Sequence, residues 1–255
     1  MPKGPIFNGI NRRSFCKVTV TTAVLANLSG EANAAARDKV SLIKKGSVVL
    51  FQGDSITDAG RSRADAAKAN NQKALGQGYS WFAAANMLTE LPDHDLKVFN
   101  RGVGGHKVHQ LAARWEKDCL NLKPDVLSIL IGVNDIWHHL NGNYGGTVST
   151  YESDYRDLLE RTIKVLPGVK LVVCEPFVLR CGAVSDKWFP EFDKFRVAAK
   201  KISNEFKAHF IPFQSMFDQA ITIAPPEHWA KDGVHPSSNG AALMAHFWLK
   251  SVLGN

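Results

Sequence analysis

Cysteine is scarce. The 255-residue chain has four, and setting aside Cys16 near the N-terminus leaves Cys119, Cys174 and Cys181, an odd set that excludes a disulfide framework. Cys174 and Cys181 remain able to pair in an oxidising compartment if their geometry allows it. None of the three stands in the spacing of a catalytic thiol or a zinc site. An uncharged apolar run of about 18 residues is missing, which excludes a bilayer-spanning helix. Internal repeats and low-complexity stretches are missing as well. There is also no basic stripe: Lys and Arg number 31 against 24 acids, a formal charge of +7, but the cations are interspersed with acids, so a nucleic-acid footprint is absent. What remains is 45% hydrophobic and 22% charged residues, enough to bury one substantial core.

The first 36 residues read as targeting rather than fold. Asn11-Arg12-Arg13-Ser14-Phe15-Cys16-Lys17 precedes a mildly apolar stretch from Val18 to Gly30 and then the small residues Ala32-Asn33-Ala34-Ala35-Ala36. This is the order of basic, apolar and cleavage regions in a bacterial export peptide. The paired arginines resemble the twin-arginine pattern, with Asn11 and Cys16 where Ser or Thr and Leu are usual. The expected organisation is therefore an export signal over 1–36 and a single domain over 37–255, with the mature protein periplasmic or extracellular. Lys3, Arg12, Arg13, Lys17 and Glu31 all precede residue 37, so their removal takes the formal charge from +7 to +4.

Short β-rich runs then alternate with longer segments of helical period, the pattern of a parallel sheet flanked by helices. Strands are predicted at Ser47–Phe51, Leu96–Asn100, Val126–Ile131, Leu171–Cys174 and His209–Pro212. Helices are predicted at Tyr79–Leu91, Val108–Leu120, Tyr151–Leu166, Phe192–Ala208 and Asn239–Leu253. Phe82, Ala85 and Leu88 in the first helix recur at core spacing, as do Phe192, Phe195, Ala199, Ile202 and Phe206 in the fourth. Arg61 to Ala74 and Asn141 to Thr150 read as surface loops.

In an open parallel sheet, ligand sites collect beyond the carboxyl ends of the strands. Four polar blocks fall there: Gly53-Asp54-Ser55, Asn100 to Gly105, Gly132-Val133-Asn134-Asp135, and Asp232-Gly233-Val234-His235. A serine hydroxyl is a weak nucleophile until a base takes its proton, a role open to His235 with Asp232 fixing the imidazole tautomer. The oxyanion that forms next requires aimed donors, for which the amides of Ser55 and Gly105 and the side chain of Asn134 are suited. Gly105 lets the backbone approach the substrate closely. An α/β-hydrolase reading fails because its nucleophile elbow requires glycine two residues after the serine, where this chain has Thr57.

These blocks, in this order, resemble those of the SGNH (GDSL-type) hydrolases, over roughly Lys45 to Leu253. The resemblance implies a three-layer α/β/α sandwich on a central parallel five-stranded sheet of flavodoxin-like kind. It also implies Ser55 as nucleophile, Gly105 and Asn134 in the oxyanion hole, Asp232 and His235 completing the triad, and neither metal nor organic cofactor. Within the family, Gly53 to Arg61, Leu75 to Tyr79, Ala113 to Asp118 and Ile131 to Trp137 resemble the group that includes acetyl xylan esterases. Lys231 departs from that group, where an aromatic commonly precedes the acid.

The expected substrate is thus an O-acetyl ester of a polysaccharide or small molecule. Asp54, Trp137 and His138 are the candidate substrate contacts, Trp137 offering a flat face to a sugar and His138 a hydrogen bond. Adjacent histidines such as His138 and His139 converge poorly on one metal ion. The 61–74 segment has no bulky apolar face, which disfavours a lipase lid. A lysophospholipase or thioesterase of the same fold and a non-catalytic carbohydrate-binding homologue stay open, as does the oligomeric state.

Overall fold

The computed structural model describes residues 41–254, so the expected export segment over 1–36 lies outside the described residues. Five strands, β1 (Val48–Gly53), β2 (Lys97–Asn100), β3 (Val126–Leu130), β4 (Lys170–Cys174) and β5 (His209–Ile211), form one sheet in the order β2-β1-β3-β4-β5. Every neighbouring pair is parallel. β3, at the centre, is buried at all five positions, as expected of a strand covered by helices on both faces.

The helices are α1 (Ser55–Asp58), α2 (Gln72–Leu75), α3 (Tyr79–Glu90), α4 (Val108–Ala113), α5 (Trp115–Asp118), α6 (Val133–Leu140), α7 (Val148–Val165), α8 (Glu191–Glu205), α9 (Phe213–Ala220), α10 (Pro226–Trp229) and α11 (Ser238–Leu253). The crossover from β1 to β2 and those from β2 onward run in opposite directions along the sheet. Right-handed connections therefore place α3 on one face and α4, α7 and α8 on the other. The packing agrees, with α3 against α11 and α4 and α8 both against α7. This is the expected α/β/α sandwich.

Buried aromatics bind the layers to the sheet and give their polar atoms to specific acceptors. Trp248 Nε1 of α11 donates to Ser128 Oγ of β3 at 3.0 Å, and Phe51 of β1 packs on both Trp248 and Tyr79. On the opposite face Trp115 Nε1 donates to Thr162 Oγ1 at 2.8 Å.

Three expectations change. The predicted helix Val108–Leu120 is two short helices and a 3-10 turn, because the backbone breaks at Arg114 and Cys119. The fully buried face of α3 is Tyr79, Ser80, Ala83, Ala84 and Met87, whereas Phe82, Ala85 and Leu88 are half-buried; α11 lies close against α3, and small side chains take the tightest positions. The 61–74 segment is also more than a surface loop. Asn70 exchanges backbone bonds with Val98 and Leu96 through its amide and side chain and so covers the edge of β2, while Arg61 is buried with its Nε donating to Gly102 O at 2.7 Å.

Cys174 and Cys181 are not bonded to each other. Cys174 Sγ lies 3.5 Å from Ser128 Oγ, and Cys181 Sγ donates to Ala230 O. Among the described residues no helix is long and apolar enough to cross a membrane.

Candidate active site

The chain leaves β1 at Gly53 and turns at once into α1, so Ser55 opens that helix. Asp54 caps it: the carboxylate accepts from the Ile56 amide at 3.0 Å. Asp54 was expected to touch substrate, but it is fully buried next to Ser55, because a capping carboxylate turns back onto its own helix. Burial raises its carboxyl from 3.8 to about 7, against the Ile56 hydrogen bond and the nearby His235. Its second oxygen has no hydrogen-bond partner.

The loop after β2 packs against α1. A Cβ on Gly102 would stand 2.3 Å from the Asp58 amide, a distance only glycine permits, and one on Gly104 would stand 3.8 Å from the Ser55 Cβ. Asn100 Nδ2 donates to Thr57 O and Leu75 O at 2.6 and 2.9 Å, while its Oδ1 accepts from Gly102 N at 2.8 Å. Arg114 reaches from the helix break described above to Arg101 O at 2.7 Å and Gly53 O at 3.4 Å. Sequence reasoning did not single out Asn100 or Arg114 for these tasks, since a hydrogen bond between loops distant in sequence leaves no periodic trace.

After β3, α6 presents Asn134, buried, whose Nδ2 donates one hydrogen to His106 O at 3.3 Å. Gly105, at φ +77°, and Ser55 keep amides without an acceptor among the described residues. Two backbone donors and the second hydrogen of the Asn134 amide thus remain for a developing oxyanion. Asp135 is buried beside them, taking the Val108 amide at 3.4 Å. Burial first, with the charge of Asp54 adding to it, pushes its carboxyl up to about 7.

The fourth block lies on the loop between α10 and α11, as an expected neighbour of the final helix. Ser55 Oγ is 2.8 Å from His235 Nε2, and His235 Nδ1 is 2.6 Å from Asp232 Oδ2. Asp232 Oδ1 also accepts from the amides of His235 and Val234 at 2.7 and 3.0 Å. Burial pushes the Asp232 carboxyl up, but these hydrogen bonds outweigh it and hold the group below the usual carboxylate range, so Asp232 is ionised at neutral pH. The arrangement can move a proton from serine to imidazole and stabilise the imidazolium.

Trp137, one turn after Asn134, lies with its ring centroid 6.2 Å from that of His235 and also packs on Trp188, so it forms a wall of the site. His138 Nδ1 lies 3.1 Å from Nζ of Lys107, two residues beyond Gly105. On the other side of Ser55 a cleft of about 280 Å³ is lined by Gln77, Gly78 and Pro236 to Ser238. Its only advance sign in the sequence was the Gly76-Gln77-Gly78 run. Among the described residues no three His, Cys, Asp or Glu side chains gather as a metal site.

Comparison with known proteins agrees with this geometry. Residues 51–243 match the model of the GDSL-like Lipase/Acylhydrolase family. The chain is 32% identical over 214 residues to an acetylxylan esterase of Geobacillus stearothermophilus, covering 82% of this chain and 95% of the relative. A crystal structure of a GDSL-like lipase from Parabacteroides merdae superposes with a TM-score of 0.81 at 50% identity, over 84% of this chain and 98% of that one. Axe2, the acetylxylan esterase of Geobacillus stearothermophilus, superposes with a TM-score of 0.74 at 30% identity over 82% and 95% of the two chains. Its structures include catalytic mutants at a serine, an aspartate and a histidine, the last two spaced as Asp232 and His235 are. Axe2 carries a tryptophan directly before that aspartate, where this chain has Lys231.

Proposed function

Because the chain belongs to the GDSL-like lipase/acylhydrolase family and is an esterase of that kind, we propose that it removes acetyl groups from carbohydrate hydroxyls through an acyl-enzyme on Ser55. The observation that carries this is the continuous path from Ser55 Oγ through His235 to Asp232, at 2.8 and 2.6 Å. His235 Nε2 takes the serine proton as Oγ bonds to the acetyl carbonyl carbon, and the carbonyl oxygen becomes an oxyanion before Gly105 and Asn134. Collapse breaks the ester bond, and the sugar oxygen leaves with the proton from His235. Water, deprotonated by the same imidazole, then releases acetate and restores Ser55.

The carbohydrate-acetyl reading draws support from the acetylxylan esterase relative and from Trp137 beside His235, where its ring can face a sugar. Acetate release from acetylated xylan and other acetylated glycans is the expected result. In parallel, kcat/KM on p-nitrophenyl esters should fall from acetyl to octanoyl; a rise along that series favours a lysophospholipase or thioesterase and overturns the reading. Labelling of Ser55 by a fluorophosphonate separates an enzyme from a binding-only homologue.

The export reading belongs to the same proposal. Arg12, Arg13 and the small residues up to Ala36 support passage out of the cytoplasm by the twin-arginine route. Changing both arginines to lysine should retain the uncleaved precursor inside the cell, and normal export of that variant counts against the route.

A further inference from the structure

We propose that Gln77 is a specificity-determining residue whose side-chain amide hydrogen-bonds a hydroxyl of the leaving sugar, in a cleft that accepts an uncharged hydroxylated ring. This rests on the acetylesterase reading and names the part of the site that recognises the alcohol rather than the acyl group.

The first ground is direction. The cleft of about 280 Å³ borders Ser55 and His235 but none of Gly104, Gly105, Asn134 or Trp137, so it lies apart from the two oxyanion donors that Ser55 does not itself supply. A tetrahedral intermediate on Ser55 Oγ turns its oxyanion toward those donors. Its leaving oxygen must lie within reach of His235 Nε2, which protonates it. His235 lines the cleft, so the sugar that carries the leaving oxygen extends into it.

The second ground is the chemistry of the lining. Apart from His235 and the buried Tyr79, no titratable side chain borders the cleft, so it offers no cation to a uronate or sulfate. Its apolar lining is Ile56, Ala59, Pro236 and Ala241. Of the polar groups, Ser237 Oγ is occupied, donating to His228 O at 2.7 Å and accepting from Gly240 N at 3.2 Å. Gln77 and Ser238 keep side chains without a hydrogen-bond partner among the described residues. An amide both donates and accepts, as a sugar hydroxyl requires.

The third ground is fixation. The Gln77 amide donates to Ala59 O at 3.0 Å. On either side the backbone meets α1 at contact distance: a Cβ on Gly76 would stand 2.6 Å from Asp58 O, and one on Gly78 would stand 2.6 Å from the Ala59 Cβ. Gln77 therefore projects from a strap pressed onto the short helix that begins with Ser55. Gln77 is itself exposed, so its side chain is open to a ligand while its backbone is tied to the helix that begins with Ser55.

The test compares wild type with Gln77→Met, which keeps the length of the side chain and removes the amide. The substrates are mono-O-acetylated methyl β-D-xyloside and p-nitrophenyl acetate, whose leaving group has no hydroxyl to recognise. Gln77→Met should lower kcat/KM on the xyloside by about tenfold, mostly through KM, and leave the aryl ester unchanged within about twofold. An equal loss on both esters, at unchanged melting temperature, makes Gln77 a support for Ser55 and overturns the proposal. So does full activity on the xyloside, or a loss that appears only with octanoyl esters and marks the cleft as an acyl pocket. If the wild-type enzyme itself ignores the xyloside and prefers octanoyl esters, the acetylesterase reading has failed; if the wild type hydrolyses it and Gln77→Met does so equally, only the role of Gln77 has.

Discussion

The two halves of the candidate catalytic centre differ in how deeply they are buried. Ser55 stands on a buried foundation, with Asp54 and Asn100 almost fully buried and Gly102 pressed against α1. His235 and Asp232 keep 43% and 41% of their side-chain surface exposed, on a loop where Asp232 itself accepts from both the ring and the amide of His235. The base half also leans on the loop after β4, with Leu179 N donating to Gly233 O at 2.8 Å and Ala183 N to Asp232 O at 2.9 Å, whereas the Ser55 half rests on groups brought together from β1, β2 and the helix break at Arg114. Substitutions on the exposed half should therefore act on turnover, and those on the buried half on stability as well.

The largest effect is expected where the halves meet. Ser55→Ala should lower kcat by on the order of 10⁶ and abolish burst acylation while leaving the fold intact; any acyl-enzyme trapped from that variant removes Ser55 as nucleophile. Asp232→Asn should cost about 10⁴ in kcat, since the imidazole then loses the partner that selects its tautomer. Because this side chain is 41% exposed and Asn keeps an oxygen for the Val234 and His235 amides, the melting temperature should fall only slightly at neutral pH. Asn134→Ala should lower kcat by about 10² to 10³ with little change in KM, as befits a donor that acts on developing charge. An equal change in KM would place the amide on bound substrate instead.

On the buried half, Gly102→Ala inserts a methyl 2.3 Å from the Asp58 amide and should cost about 1–3 kcal/mol in urea unfolding. The smallest effect concerns pH. Burial raises the Asp54 carboxyl from 3.8 to about 7, so its contribution to stability is full below the unfolded-state value and lost as pH rises through about 7. Asp54→Asn has no charge to bury, and its stability should vary less with pH across that window. Parallel curves for the two proteins would mean that Asp54 ionises at no cost to the fold.

Much of this was legible in the chain. The five strands emerge within a residue or two of their predicted bounds, because each is too short for a helix and rich in β-branched or aromatic residues. Ser55, Asp232 and His235 were readable because they sit in compact blocks at strand ends or before a helix, and the structure brings them within hydrogen-bond distance. Asp54 was misjudged because proximity in sequence to Ser55 says nothing of which way a capping carboxylate turns. α9, over Phe213–Ala220, went unpredicted as a short helix directly after β5, and the break at Arg114 was hidden within an otherwise helical pattern.

The amino-acid sequence alone therefore determined the layer architecture and pointed to the candidate reacting groups, because periodicity and local motif chemistry are properties of neighbouring residues. Only the tertiary structure decided which carboxylate meets solvent and which is buried, that Arg114 and Asn100 tie the loops beneath Ser55, and that Gln77 borders the cleft. Those outcomes depend on backbones from separate strands meeting at distances of a few ångströms, and no pattern along a single chain records such a meeting.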